Sequence, residues 1–118
     1  MNIQGKVWGT TSPIFLNNNV EINRIECLKG GRCSKHMHQS KYNMFFVESG
    51  KMKIETWKND YELIDEVILE AQHSTIVKPR EYHRFTCLEP AVVYEIYWVT
   101  LLDTDIVRDD VGGVIQNI

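Results

Sequence analysis

The residues of this chain best suited to chemistry are three histidines, His36, His38 and His83, which stand close to glycine and proline turns. Side chains alternate between the two faces of a β-strand, so His36 and His38 are predicted to point to one face. His83, on a later strand, would complete a facial set of imidazoles. Three neutral imidazoles suit zinc, iron(II), manganese, nickel or copper, and leave coordination positions for water or substrate. The spacing therefore predicts a metal-binding pocket.

Polar side chains near these histidines are candidates for substrate contact. Ser34 shares the predicted strand face of the first two histidines, and Tyr82 and Arg84 flank His83. Basic groups beside a metal suit a phosphate or carboxylate ligand. A solvated rim is the alternative, because alternation points Arg84 away from the face of His83. The other basic residues that flank the motifs are Lys35, Lys41, Lys78 and Arg80.

For three further groups of residues, the sequence either leaves a role in the site open or argues against one. Glu95 is either a buried carboxylate able to transfer a proton or a solvent-facing side chain. His73 stands at a turn outside the alternation, so we interpret it as an exposed turn residue rather than a ligand. Tyr82, Tyr94, Tyr97 and Trp98 fit core or interface aromatics better than a sugar-stacking platform.

The candidate site residues lie in or next to short β-rich segments that are separated by turn signals. Strands at this spacing predict a sandwich or barrel. The turn signals are Asn17–Asn19, Gly30–Gly31, Gly50 and Lys58–Asp60. The predicted strands are Val20–Leu28, Lys35–His38, Asn43–Val47, Lys51–Trp57, Tyr61–Leu69, Ser74–Lys78, His83–Leu88 and Val92–Thr100. Asp103–Ile118 is the one segment where a helical turn is expected.

Composition excludes several classes of protein. With 118 residues, 43% of them hydrophobic and 25% charged, the chain is expected to form one globular domain, 1–118. A net charge of −3 without a basic block argues against nucleic acid as a partner. Neither a membrane-length apolar run nor a signal-peptide pattern is present. The three cysteines form no CxxC pair, so we expect reduced thiols and a cytoplasmic location.

The segment from Gly31 through His36 and His38 to Asn43 and Gly50 resembles the first motif of the cupins, in which two histidines and a glutamate bind metal. The segment 79–85, Pro-Arg-Glu-Tyr-His-Arg-Phe, resembles the second motif, which supplies a further histidine. The resemblance implies an all-β, single-domain cupin, a small jelly-roll β-barrel. It also implies a divalent zinc, manganese, nickel or iron ion held by His36, His38, His83 and, weakly, Asn43.

A finer resemblance is to the cupin domain of type II mannose-6-phosphate isomerases, often fused to mannose-1-phosphate guanylyltransferases. Trp8-Gly9 is similar to that group's opening, and Asp105–Gly112 is similar to its closing signature. This likeness implies a sugar or phosphosugar substrate, a role in carbohydrate metabolism and a homodimer. Met44, Phe46 or the N-terminal segment would make the dimer contacts.

The chain departs from that group near the expected site. Asn43 replaces the metal-binding glutamate, and its neutral carbonyl oxygen is a weaker ligand. Other replacements are Ser34 for glutamine, Gln72-His73 for a Gly-Asp turn, Arg80 for glycine and Val111 for tyrosine. Three functions therefore stay open: an aldose–ketose sugar-phosphate isomerase, a non-catalytic sugar- or sugar-nucleotide-binding cupin, and a three-histidine iron dioxygenase.

Overall fold

The computed structural model describes residues 3–57, 62–100 and 105–116. These residues form antiparallel strands and no helix, so the described part of the chain has no helix that could cross a membrane. In β4 (Tyr42–Trp57) and β7 (Tyr82–Trp98) buried and more exposed residues alternate, because one face of each strand points to the interior. The strands are β1 (Gln4–Lys6), β2 (Gly9–Leu16), β3 (Val20–Cys27), β4 (Tyr42–Trp57), β5 (Leu63–Leu69), β6 (Ser74–Val77) and β7 (Tyr82–Trp98).

Two long strands, β4 and β7, run side by side through the whole molecule. The strand order is β1-β2-β3-β7-β4-β5, and β6 pairs with the first part of β4. The second part of β4 pairs with β5, and the second part of β7 pairs with β3. Each long strand therefore contributes to two sets of neighbours, which places both at the centre of the fold.

Gly50 lies where β4 changes direction. Its φ is +89°, and a Cβ built there would lie 2.1 Å from the carbonyl oxygen of Pro90. The register between β4 and β7 shifts on both sides of Gly50. Only glycine combines this backbone conformation with such a close approach. The predicted strands Asn43–Val47 and Lys51–Trp57 are thus one irregular strand, and Gly50 bends it without ending it.

The interior is filled by the inward-facing side chains of the central strands. Phe45 and Val47 are buried, whereas Met44 and Phe46 are only half-buried, as the alternation predicts. A fully buried side chain of this size contributes about 1.5–3 kcal/mol by leaving water. The apolar core consists of Trp8, Ile25, Cys27, Phe45, Val47, Met52, Ile54, Leu69, Val77, Phe85, Cys87, Ala91 and Val93.

Several predicted elements need correction. Lys35–His38 is not a strand, because only an isolated bridge at His36 joins it to β7. Strands β1 and β2 are present although no strand was predicted there. The described tail, 105–116, contains no helical turn. The predicted turn Lys58–Asp60 lies outside the described residues.

The prediction of three reduced cysteines is also wrong. Cys27 at the end of β3 and Cys87 in β7 form a disulfide, with Cα atoms 6.4 Å apart. Both side chains are buried in the core. Cys33 is free. The sequence could not reveal this pair, since 60 positions separate the two residues. The cytoplasmic location, which rested on reduced thiols, stays a prediction.

Candidate metal centre and cavity

Backbone pairing brings two of the three predicted metal-ligating histidines together. His36 N–H donates to His83 O at 3.1 Å, and His83 N–H donates to His36 O at 2.8 Å. The Arg80 N–H also donates to His38 O at 2.7 Å. One ring nitrogen from each histidine lies within 4.8 Å of the others. The three side chains therefore converge on one point, as their spacing predicts.

Hydrogen bonds fix the tautomers of two rings. His36 Nδ1 lies 2.7 Å from the Ser34 carbonyl oxygen, and His83 Nδ1 lies 3.1 Å from the Glu81 carbonyl oxygen. A carbonyl can only accept, so each Nδ1 carries the proton in the neutral ring. Each Nε2 is then left with its lone pair. Orientation of this kind by an outer hydrogen bond is typical of metal-ligating histidines.

Three buried side-chain atoms lack any hydrogen-bond partner among the residues described: His38 Nε2, His83 Nε2 and Asn43 Oδ1. Asn43 is fully buried, and its amide nitrogen donates to the Met44 carbonyl oxygen at 3.3 Å. A buried polar atom without a partner carries a penalty of about 1–3 kcal/mol. All three atoms belong to predicted metal ligands. Two imidazole nitrogens and an amide oxygen are donors that a divalent transition ion accepts, so the residues fit such an ion.

Burial favours the neutral form of the His38 and His83 imidazoles. Desolvation lowers the pKa of His83 to about 4, although its bond to the Glu81 carbonyl opposes the shift. Desolvation also lowers the pKa of His38, and the nearby charges of His36 and Lys41 add to the effect. A neutral imidazole is the form that binds metal. His38 and His83 can therefore act as ligands at neutral pH without first losing a proton.

His36 and His38 border a cavity of about 500 Å³, which is a usual volume for a small-molecule site, whereas His83 and Asn43 are not part of its wall. Ser34, His36 and His38 all line it, although this segment is not a regular strand. Strands β1, β2, β3, β4 and β7 supply most of the remaining wall. The other lining residues are Gln4, Lys6, Trp8, Thr11, Pro13, Leu16, Glu21, Asn23, Cys33, Lys41, Phe45, Phe85, Glu95 and Tyr97.

Two of the predicted substrate-binding residues lie away from this cavity. Tyr82 and Arg84 are half-buried and are not part of its wall. Arg84 Nε donates to the Cys33 carbonyl oxygen at 3.1 Å. This hydrogen bond holds the guanidinium against the backbone of the 28–38 loop. Their contact with a substrate stays a prediction, whereas Ser34 is in place for one. His73 is exposed, and its Nδ1 accepts the Glu70 N–H at 3.2 Å, as expected of a turn residue.

The sequence analysis left Glu95 open between a buried and a solvent-facing carboxylate, and the structure places it in the cavity wall. Glu95 is only 9% exposed, and its carboxylate accepts the Tyr97 hydroxyl. The Tyr97 ring packs on His38 with centroids 5.1 Å apart. The signal that could have found Glu95 is its position in β7, because it shares the alternation of buried Ala91 and Val93.

No protein-family description and no curated protein matches this chain. Solved structures do match. KdgF from Halomonas sp. superposes with a TM-score of 0.73 at 13% identity, over 87% of this chain and 90% of that one. An RmlC-like cupin from Shewanella frigidimarina gives 0.71 at 17% identity, over 84% of each chain. The chain has the cupin fold. The Schizosaccharomyces pombe Cnp3 cupin domain gives 0.71 at 13% identity, over 85% of this chain and 69% of that one.

The cupin fold confirms the predicted all-β jelly-roll architecture. Gln72 and Arg80, two of the residues at which the sequence departs from the resembled motifs, have φ values of +70° and +69°. Both positions thus keep the left-handed backbone that favours glycine. Trp8 packs on Phe85 with ring centroids 5.0 Å apart, beside the cavity.

Proposed function

We propose that this cupin is a metal-dependent aldose–ketose isomerase of sugar phosphates. His36, His38 and His83 would hold one divalent transition ion, with Asn43 as a weak fourth ligand. The observation that carries the proposal is the set of three buried, unpartnered atoms of His38, His83 and Asn43, of which His38 also lines the cavity. Such atoms are expected to have partners in a working protein, and a metal ion would supply one to each.

A bound divalent ion would polarise the carbonyl and hydroxyl oxygens of a sugar. The chain itself would hold the ligand rings in place, because Ser34 and Glu81 carbonyls fix the rings of His36 and His83. The Ser34 hydroxyl lies 3.2 Å from His36 Nδ1 at the cavity wall, where it can also meet a substrate hydroxyl. The remaining volume accommodates a hexose phosphate.

Two lysines support an anionic substrate. Lys6 and Lys41 line the cavity, and neither lies within ion-pair distance of a carboxylate in the described ranges. Lys41 Nζ instead lies 5.5 Å from the centre of the Tyr97 ring. An ammonium group without a carboxylate partner suits a phosphate. Together with the sequence likeness to mannose-6-phosphate isomerases, this favours a phosphosugar over a neutral sugar.

The test is interconversion of mannose 6-phosphate and fructose 6-phosphate by protein loaded with zinc, manganese, nickel or iron(II), followed by proton NMR. The His36→Ala/His38→Ala variant is the matched control. We expect turnover by the loaded wild type and none by the variant. Absence of turnover with every metal would overturn the isomerase proposal. Calorimetric binding of the same sugars without turnover would favour the non-catalytic, sugar-binding alternative.

A three-histidine iron dioxygenase is the second candidate, because every proposed ligand is neutral. Asn43 offers an amide oxygen in place of a carboxylate, so three imidazoles dominate the set. Iron(II) bound under anaerobic conditions and substrate-dependent oxygen uptake would support this activity. A protein that binds zinc alone and takes up no oxygen would contradict it.

We also propose a homodimer formed through the outer face of β4. Met44 and Phe46 are half-buried there, and the cross-strand partner of Met44 is Ile76, which is 48% exposed. An apolar outer patch of this kind is typical of an interface. Light scattering should give twice the chain mass of 13.8 kDa, and Met44→Lys should restore the monomer. A monomeric wild type would contradict the proposal.

A further inference from the structure

Glu95 is a buried carboxylate that the metal centre does not use. It lies in β7 between Asn23 of β3 and Phe45 of β4, and its side chain lines the cavity. One oxygen, Oε2, accepts the Tyr97 hydroxyl, whereas Oε1 has no hydrogen-bond partner among the residues described. No lysine or arginine of that part of the chain lies within 4.0 Å of it. A carboxylate buried for structural reasons alone would be paired.

We propose that Glu95 is the catalytic base that moves the proton between adjacent substrate carbons, and that Tyr97 positions it. This inference rests on the isomerase function proposed above. Tyr97 connects the two parts of the site, because its hydroxyl donates to Glu95 and its ring packs on His38. A substrate placed beside the histidines would therefore meet the carboxylate in the same cavity.

The proposed step balances within the substrate and Glu95. The carboxylate takes the proton from the carbon next to the carbonyl group, and the electron pair of that C–H bond forms the C=C bond of an enediolate. The carboxylic acid of Glu95 then returns its proton to the neighbouring carbon, while a hydroxyl proton passes to the other oxygen. No oxidant, reductant or further reactant is consumed.

The groups that face Glu95 suit it to this role. Burial raises the pKa of its carboxyl to about 7, and the charge of Glu21 on β3 acts in the same direction. The Tyr97 hydroxyl and Lys6 on β1 act in the opposite direction. A base whose pKa lies near the working pH can both accept and return a proton efficiently.

The test compares Glu95→Gln with a matched control in the metal-loaded protein. Tyr94 donates to Glu48 at 3.3 Å on an exposed face, so Glu48→Gln changes a similar tyrosine–carboxylate pair outside the cavity. We expect Glu95→Gln to lower kcat by about 100-fold or more, with unchanged metal content and KM within about threefold. Glu48→Gln should retain wild-type kcat.

Difference infrared spectroscopy supplies a readout that is independent of turnover. The wild type should show a carboxylic-acid band that titrates near neutral pH, and Glu95→Gln should lack it. Tyr97→Phe should move this titration to higher pH and lower kcat more than it changes KM, because it removes a bond that favours the carboxylate.

The outcomes separate the two proposals. Active wild type with equally active Glu95→Gln would overturn the role of Glu95 and leave the isomerase function standing. A wild type that turns over no sugar phosphate would overturn both. An infrared titration identical in wild type and Glu95→Gln would also contradict the assignment, whatever the turnover.

Discussion

His36 and His83 exchange both of their backbone hydrogen bonds, at 3.1 and 2.8 Å, and their rings lie 4.5 Å apart between centroids. The contact is therefore fixed by main-chain pairing and requires no bound ion to form. Further bonds to the Ser34 and Glu81 carbonyls orient the two rings. A site arranged in this way is preorganised, so little conformational entropy is lost when a ligand binds.

Asn43→Glu should strengthen metal binding. The variant restores a charged oxygen ligand at a fully buried position whose Oδ1 has no partner in the described structure. A carboxylate binds a divalent ion more tightly than an amide, and we expect a gain of about tenfold, or 1.4 kcal/mol. Competition with a chromophoric chelator gives the affinity. Weaker binding by Asn43→Glu would place Asn43 outside the ligand set.

Asn43→Leu should have opposite effects on the metal-free and metal-loaded protein. Without metal, it removes an unpartnered buried oxygen and should raise the free energy of unfolding by about 1 kcal/mol. With metal, it removes a ligand and should reduce the stabilisation that binding supplies. Denaturant unfolding with chelator and with metal measures both. A loss of stability in chelator would show that the Asn43 amide oxygen already has a partner.

In the metal-free protein, the contribution of His83 to stability should be lost as the pH falls from about 6.5 to about 4. Its pKa is about 4 in the folded protein against 6.5 in the unfolded chain, so between these values the unfolded chain binds more protons. The loss should reach about 3 kcal/mol at most. Unfolding at pH 4 to 7 in chelator measures it. His83→Gln should remove this contribution from the profile. Glu95 has a raised pKa and contributes the opposite slope, but it is present in both proteins. The difference between the two profiles therefore reports His83. Equal slopes would contradict the burial of His83 as a neutral base.

The disulfide should be detectable by counting thiols in denaturant. One thiol per chain, that of Cys33, is expected before reduction and three after it. The bond joins residues 60 positions apart, so reduction should lower stability by about 4 kcal/mol in the chain-entropy account. Cys33→Ser, which leaves the bond intact, is the control. Three thiols without reduction would contradict the pairing of Cys27 with Cys87.

Arg80→Gly should stabilise the protein. Arg80 is exposed and has a φ of +69°, a conformation that is unfavourable for any residue with a Cβ by about 1 kcal/mol. Its backbone N–H donates to His38 O, and glycine keeps that bond. Arg80→Ala retains the Cβ and should give no gain. An equal change in melting temperature for the two variants would trace the effect to the guanidinium instead.

The sequence predicted the parts of this molecule that depend on local alternation. The shared face of Ser34, His36 and His38 followed from period two and holds even though the segment forms only one bridge. The same rule separates Phe45 and Val47 from Met44 and Phe46, and the structure shows that the face of Phe45 and Val47 is the buried one. Asn17 forms the predicted turn, where its side chain accepts the N–H groups of Asn19 and Val20 at 2.8 Å.

Features that depend on which strands become neighbours could not be read from the sequence. The Cys27–Cys87 disulfide and the contact between Tyr97 and His38 join distant segments. Lys6 reaches the cavity because β1 pairs with β2, and the residues of β1 show no alternation that would predict this strand. Arg84 was a candidate for the substrate, but its hydrogen bond to the Cys33 carbonyl depends on a loop packed against β7.

Metal content is the most direct test of the account. Protein purified without chelator or affinity tag would be measured by mass spectrometry, beside the His36→Ala/His38→Ala variant prepared in the same way. We predict close to one zinc, manganese, nickel or iron ion per chain in the wild type and none in the variant. A wild type that stays free of metal after loading with each of the four ions would contradict the metal centre and the isomerase function built on it.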